Sequence, residues 1–170
     1  MKYMLMRKAD ADTENGVMPS EDIEHHAQHK LPREMNVHVA FAGNCREAME
    51  FYAAVTAGHL EAMITYGETP AAEDVPAEMR DRIIHSSLNI RGRRLMGADM
   101  AGDCYQAPQG AQVHLDYADT EQSERVFRAL AEEGTVIMPF DQTFWAHRFG
   151  MVKDRFGVQW MISADLEQCQ

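Results

Sequence analysis

Asn36-Val37-His38-Val39-Ala40-Phe41 and Gln112-Val113-His114-Leu115-Asp116-Tyr117 lie 76 residues apart, and in both apolar and other side chains alternate. A period of two marks a strand with one buried face. After the first stretch, Gly43-Asn44 breaks the pattern, and Asn44 with Glu47 fits a capping box at a helix start. Ala48, Phe51, Tyr52 and Val55 then fall on one helical face, and Gly58 suits the stop. After the second stretch, Asp119 with Gln122 has the same form, followed by Val126, Phe127, Leu130 and Gly134. At this offset His38 meets His114, Phe41 meets Tyr117, Ala42 meets Ala118 and Phe51 meets Phe127, as an internal duplication requires.

Working outward, strands are expected near 60–66, 82–90 and 93–98 in the first half, with a polar, proline-containing loop from Gly67 to Asp81. In the second half they are expected near 135–142, 145–153 and 158–163, with Asp154-Arg155-Phe156-Gly157 as the last turn. Each half therefore reads strand, helix, strand, strand, strand. The expected class is α+β, with two βαβββ modules over about 35–100 and 110–166, forming curved mixed sheets with helices outside. Residues 1–34 read as a separate arm. Tyr3-Met4-Leu5-Met6-Arg7 fits a short strand there, and Ser20 fits the cap of a short helix. His25 and His29 have the spacing of a metal pair on a helix, but no third ligand is near, which favours a solvated helix end.

The chain has 170 residues, 45% hydrophobic and 25% charged, which excludes disorder or coiled coil as its main state. At this length about 70% of the unfolded surface can be buried, so folding needs no disulfide or structural metal. The net charge of −11 repels phosphate backbones and anionic lipids, so neither nucleic acid nor a membrane is an expected partner. No apolar run reaches the roughly 18 residues of a membrane span, and Met1 to Lys8 lacks the apolar region of a secretory signal. Cys45, Cys104 and Cys169 are odd in number and without C-x-x-C spacing. These features point to reduced thiols and a cytoplasmic protein.

Alternation sorts each strand into two faces. Val37, Val39 and Phe41 leave His38 opposite; Val113, Leu115 and Tyr117 leave His114 and Asp116. Ile84, Leu88 and Ile90 oppose His85, Ser87 and Asn89, while Val158, Trp160 and Ile162 oppose Gln159, Met161 and Ser163. The apolar faces call for the helices. The mixed faces are suited to a concave small-molecule pocket drawn from His38, His85, Met96, His114, Asp116, Trp145, His147, Phe149, Gln159 and Met161. A solvated sheet face is the plainer reading, but it leaves Met96, Met161 and Phe149 unexplained. Cys45, at a helix start where the dipole favours a thiolate, is a candidate reactive thiol or a packed one. Trp145 and His147 are pocket walls or core. Arg91, Arg93 and Arg94 form a solvated cluster at a turn, from which one can reach an anionic ligand.

The paired modules resemble the vicinal oxygen chelate superfamily, which includes glyoxalase I, extradiol dioxygenases and bleomycin-resistance proteins. Phe41-Ala42-Gly43-Asn44-Cys45, Phe51-Tyr52, the run from Gln142 through Phe144-Trp145-Ala146-His147 to Gly150, and Lys153 to Ile162 are similar to its PhnB-like branch. The opening Met1 to Ser20 resembles the start of YCII-related domains. The resemblance implies a homodimer. It also implies metal ligands on the first and fourth strands of each module, usually histidines and carboxylates. Here those positions resemble His38 and His114 with Met96 and Met161, and a neutral thioether is a poor ligand for hard or borderline divalent ions.

No cofactor is firmly expected, and a divalent metal is a lesser expectation. The leading reading is a small organic ligand bound without a tightly held metal. An alternative is a metal-dependent lyase, isomerase or dioxygenase using His38, His114 and a stand-in such as Asp116. A second alternative is a structural or interaction module. Some PhnB-like proteins are labelled as methyltransferases of ubiquinone synthesis, but no Gly-rich turn that would hold a nucleoside cofactor follows a strand here.

Overall fold

The computed structural model describes residues 33–100 and 104–166. The strand expected at Tyr3 to Arg7, the helix from Ser20, the His25 and His29 pair and Cys169 lie outside the described residues. The chain divides into two compact units, Met1–Met35 and Asn36–Gln170.

The elements of the second unit, in chain order, are β1 (Val37–Phe41), α1 (Cys45–Thr56), β2 (His59–Thr65), β3 (Ile83–Ile90), β4 (Arg93–Asp99), β5 (Val113–Tyr117), α2 (Thr120–Ala131), β6 (Thr135–Asp141), β7 (Ala146–Lys153) and β8 (Gln159–Leu166). Three short 3-10 turns occupy much of the expected loop between β2 and β3. The strands form two four-stranded sheets, ordered β1-β4-β3-β2 and β5-β8-β7-β6. In each the first strand pairs parallel with the fourth, and the other pairs are antiparallel. The fold is thus α+β, with the duplicated βαβββ order expected from the alternation. Pro139 sits within β6, an edge strand, where a missing N–H costs no ladder bond.

Each helix covers one face of its own sheet, and the helices also touch one another. One core therefore runs through both modules, from Val39, Phe41, Tyr52 and Leu88 to Val126, Phe127, Trp160 and Ile162. The expected face assignments hold for Val39, Phe41, Val158, Trp160 and Ile162, all buried.

Two face assignments are corrected. Val37 is 45% exposed, because it opens β1 at the edge of the buried patch. In β3 the core residue is Ile83, not Ile84. The ladder pairs Ile64 with His85 but Thr65 with Ile83, so the extra residue at 84 reverses the alternation at that end.

Two local signals also give way to contacts distant in sequence. Asn44 makes no side-chain cap bond. Instead the buried carboxylate of Asp99 accepts from the Cys45 backbone N–H at 3.0 Å and from the Ile83 N–H at 2.8 Å. Asp119 does cap α2, accepting from the N–H groups of Glu121 and Gln122. At the helix ends the left-handed residues are Ala57 (φ 54°) and Glu133 (φ 57°), not Gly58 and Gly134. Each of those glycines is instead a point of close approach: a Cβ on Gly134 would lie 2.5 Å from the Lys153 carbonyl oxygen, and one on Gly58 would lie 2.9 Å from Leu88 Cδ1.

Candidate functional site

Pairing across the strands places the expected site residues on the sheet faces that the helices leave open. In the first sheet one rung runs His38, Met96, Ser87, Ala62. In the second the matching rung runs His114, Met161, Met151, Met138, and the next runs Asp116, Ser163, Phe149, Asp141. The duplication thus sets an imidazole beside a thioether at the same place in each module, because His38 and His114 occupy equivalent positions on strands paired in the same sense.

The ten expected residues divide between two surfaces. His38, His85 and Met96 lie on the first sheet, and His114, Asp116, His147, Phe149, Gln159 and Met161 lie on the second. Trp145 precedes β7 and sets its ring edge-on to Phe149 at 5.7 Å, which leaves Phe149 only 5% exposed. His38 and Gln159 share a cavity of about 360 Å³ between β1 and β5, lined also by Gln106, Gln109, Gln112 and Pro108. Across it the Gln112 amide donates to Gln159 Oε1 at 3.2 Å. Asp116 lines a second cavity of about 230 Å³ with Arg91, Tyr117 and Gln122, so the arginine at the turn faces toward the other module.

Two polar clusters in this region have partners that the sequence does not signal, although alternation places Ser163 on this face. Ser163, fully buried, donates to Asp116 Oδ1 at 2.5 Å, and its oxygen lies 2.9 Å from His114 Nε2. On the first sheet Glu61 gathers Arg94 Nε at 2.9 Å, Asn89 Nδ2 at 2.8 Å and Ser87 Oγ at 3.4 Å. The Asn89 bond first, then the Arg94 bond, hold the Glu61 carboxyl below its ordinary range. Period-two reading places Ser87, Asn89 and Arg94 on one face but says nothing of which β2 carboxylate meets them, since that depends on the irregular β2–β3 register.

Of the two readings of Cys45, the packed thiol, favoured in the sequence because no base is positioned beside it, is the one the structure bears out. Its sulfur is buried 3.4 Å from Ser86 Oγ, and burial pushes its pKa from 9.0 up to about 11. Desolvation outweighs the helix dipole here.

The superfamily's metal does not fit these donors. Each histidine neighbours a methionine on its parallel partner strand, and Asp116 and His114 Nε2 both already bond Ser163. Among the described residues no three His, Cys, Asp or Glu side chains gather as a ligand group.

A model of the 3-demethylubiquinone-9 3-methyltransferase family matches residues 33–163, the span that carries both modules. The chain belongs to this family. YjdN of Escherichia coli is 34% identical over 142 residues, 79% of this chain and 97% of that protein. The crystal structure of protein PA1353 from Pseudomonas aeruginosa is 38% identical and covers 80% of this chain and all of its own, with a TM-score of 0.71. The PhnB protein of Bacillus cereus, described as a putative member of the same family, shares the fold at 22% identity, with 78% and 99% of the chains covered and a TM-score of 0.67. A glyoxalase family protein of Bacillus cereus shares it at 16% identity, with 83% and 99% covered and a TM-score of 0.58. This family member is therefore PhnB-like, on the vicinal oxygen chelate fold. Among its described residues no helix is long and apolar enough to cross a membrane.

Proposed function

We propose that this PhnB-like protein binds a small organic molecule on the open faces of its two sheets, without a tightly held metal, as a cytoplasmic homodimer. The observation that carries the reading is the repeated rung: His38 beside Met96 and His114 beside Met161, imidazole next to thioether where a hard cation would need oxygen. Such faces offer polarisable apolar surface with a few directional polar groups, which is what a small-molecule site requires. Methyl transfer, which the family's name suggests, forms no part of this reading. Residues 1–34 are proposed to be an arm distinct from the domain at 35–166, in keeping with the division of the chain after Met35.

The test is a thermal-shift screen of small organic compounds against the full chain, with and without Mn²⁺, Ni²⁺, Zn²⁺ and Fe²⁺, beside elemental analysis and mass in solution. A ligand that binds only the native state raises its melting point. The expected result is a compound that does so without added metal, on a particle of twice 19.3 kDa. Near-stoichiometric metal in the purified protein, lost in His114→Ala, would overturn the metal-free reading in favour of the metal-dependent enzyme.

A further inference from the structure

We propose that His114 Nδ1 is the hydrogen-bond acceptor that orients an aromatic ligand bearing an O–H or N–H group on the open face of the second sheet. This deepens the small-molecule reading and rests on it. The Ser163 hydroxyl is fully buried and has a single hydrogen. That hydrogen goes to Asp116 Oδ1 at 2.5 Å, a charge-assisted bond. Ser163 Oγ therefore meets His114 Nε2, 2.9 Å away, as an acceptor, and Nε2 must carry the proton. In a neutral imidazole the other nitrogen is then a bare lone pair.

His114 is exposed, and among the described residues nothing donates to Nδ1. The carboxylate thus sets the tautomer of an imidazole it does not touch, through one hydroxyl.

The chemistry of the ligand is dictated by the donor that the trio lacks. Asp116 and Nδ1 only accept, and the single Ser163 hydrogen is committed, so the ligand must bring the donor. Met161 and Met151, both half-buried, lie beside His114 in its rung and provide thioether surface on which a ring can rest.

The probes are 2-naphthol and its methyl ether, 2-methoxynaphthalene, titrated into the full chain by fluorescence and paired with ¹⁵N spectra of the His114 imidazole. The spectra are expected to show Nε2 protonated and Nδ1 bare in the neutral ring. The naphthol is expected to bind about tenfold more tightly than the ether, the worth of one hydrogen bond. Ser163→Ala and the milder, exposed Asp116→Ala should each mix the tautomers and abolish most of that preference. A wild-type ring protonated at Nδ1, or equal affinity for the two probes, overturns the inference and leaves the small-molecule reading standing. If neither probe binds while other compounds raise the melting point, the inference falls alone; if no compound does, both fall.

Discussion

Cys45 shows how one position answers two opposed physical effects. The α1 N-terminus and the Ser86 hydrogen bond would lower the thiol's pKa, but full burial first, and then the nearby Asp99 carboxylate, raise it, and the folded value reaches about 11. Because the folded protein holds this proton more tightly than the unfolded chain, the stability linked to it is complete below pH 9 and is lost as pH climbs from 9.0 toward about 11. The urea midpoint of the wild type is expected to fall more steeply across that range than that of Cys45→Ala. Parallel slopes would refute the linkage. Peptide mapping after alkylation of the native protein at neutral pH should find Cys104, which is exposed, modified and Cys45 untouched. The helix start at Cys45 and a packed thiol there were legible in the sequence, but the partner of its backbone N–H was not. The Asp99 carboxylate that takes its N–H lies 54 positions away and is placed by the β1–β4 pairing.

At the scale of elements the two modules repeat an irregularity as well as their order. After both helices a left-handed residue with a side chain comes directly before a glycine: Ala57, the cap of α1, before Gly58, and Glu133, one position beyond the extended cap Glu132 of α2, before Gly134. Sequence convention assigns the left-handed turn to the glycine; here close packing claims the glycine, and the turn moves back one position. Ala57→Gly is accordingly expected to stabilise the protein by about 1 kcal/mol, since an L side chain in that conformation costs about 1–2 kcal/mol. Gly134→Ala is expected to cost about 2 kcal/mol, an overpacking penalty against backbone that cannot yield. Thermal unfolding of the two variants checks both signs; a stable Gly134→Ala would mean that the Lys153 carbonyl shifts freely. Strand ends were legible to within three residues. The irregular β2–β3 register was not, because alternation has no memory of an inserted residue.

For the whole molecule the decisive contact joins the halves. Asp154, 4% exposed in the β7–β8 turn, accepts from the Phe156 and Val158 N–H groups at 2.9 Å, from Trp160 Nε1 at 2.8 Å and from the Tyr52 hydroxyl of α1 at 2.6 Å. Burial first, and then the Asp154 charge, push the Tyr52 pKa far above its ordinary range, so it remains a donor. Around this bond Tyr52 meets Trp160 edge-on at 5.0 Å, and Arg155 lies over the Phe51 ring at 4.3 Å. Tyr52→Phe is expected to cost about 1.5–3 kcal/mol, as for a hydrogen bond to a charged group, and Asp154→Ala on the order of 4 kcal/mol, since several buried donors lose their acceptor at once. In both variants, urea unfolding followed by tryptophan emission and by far-ultraviolet dichroism should give coincident curves, because both modules share one core. Separate transitions for the two probes would show the modules to be independent.

Periodicity alone determined the duplicated βαβββ order, the faces of most strands and the matched histidines, because side-chain direction in a strand is set by local geometry. The resemblance in the Phe144 to Gly150 and Asp154 to Ile162 segments pointed to the family that the comparisons then established. Which residues meet was decided only by tertiary structure: the carboxylate of Asp99 for Asn44, the hydroxyl of Ser163 between His114 and Asp116, the carboxylate of Asp154 for Tyr52. Such polar partners stand tens of residues apart, and their choice depends on sheet register and desolvation, neither of which leaves a period in the chain.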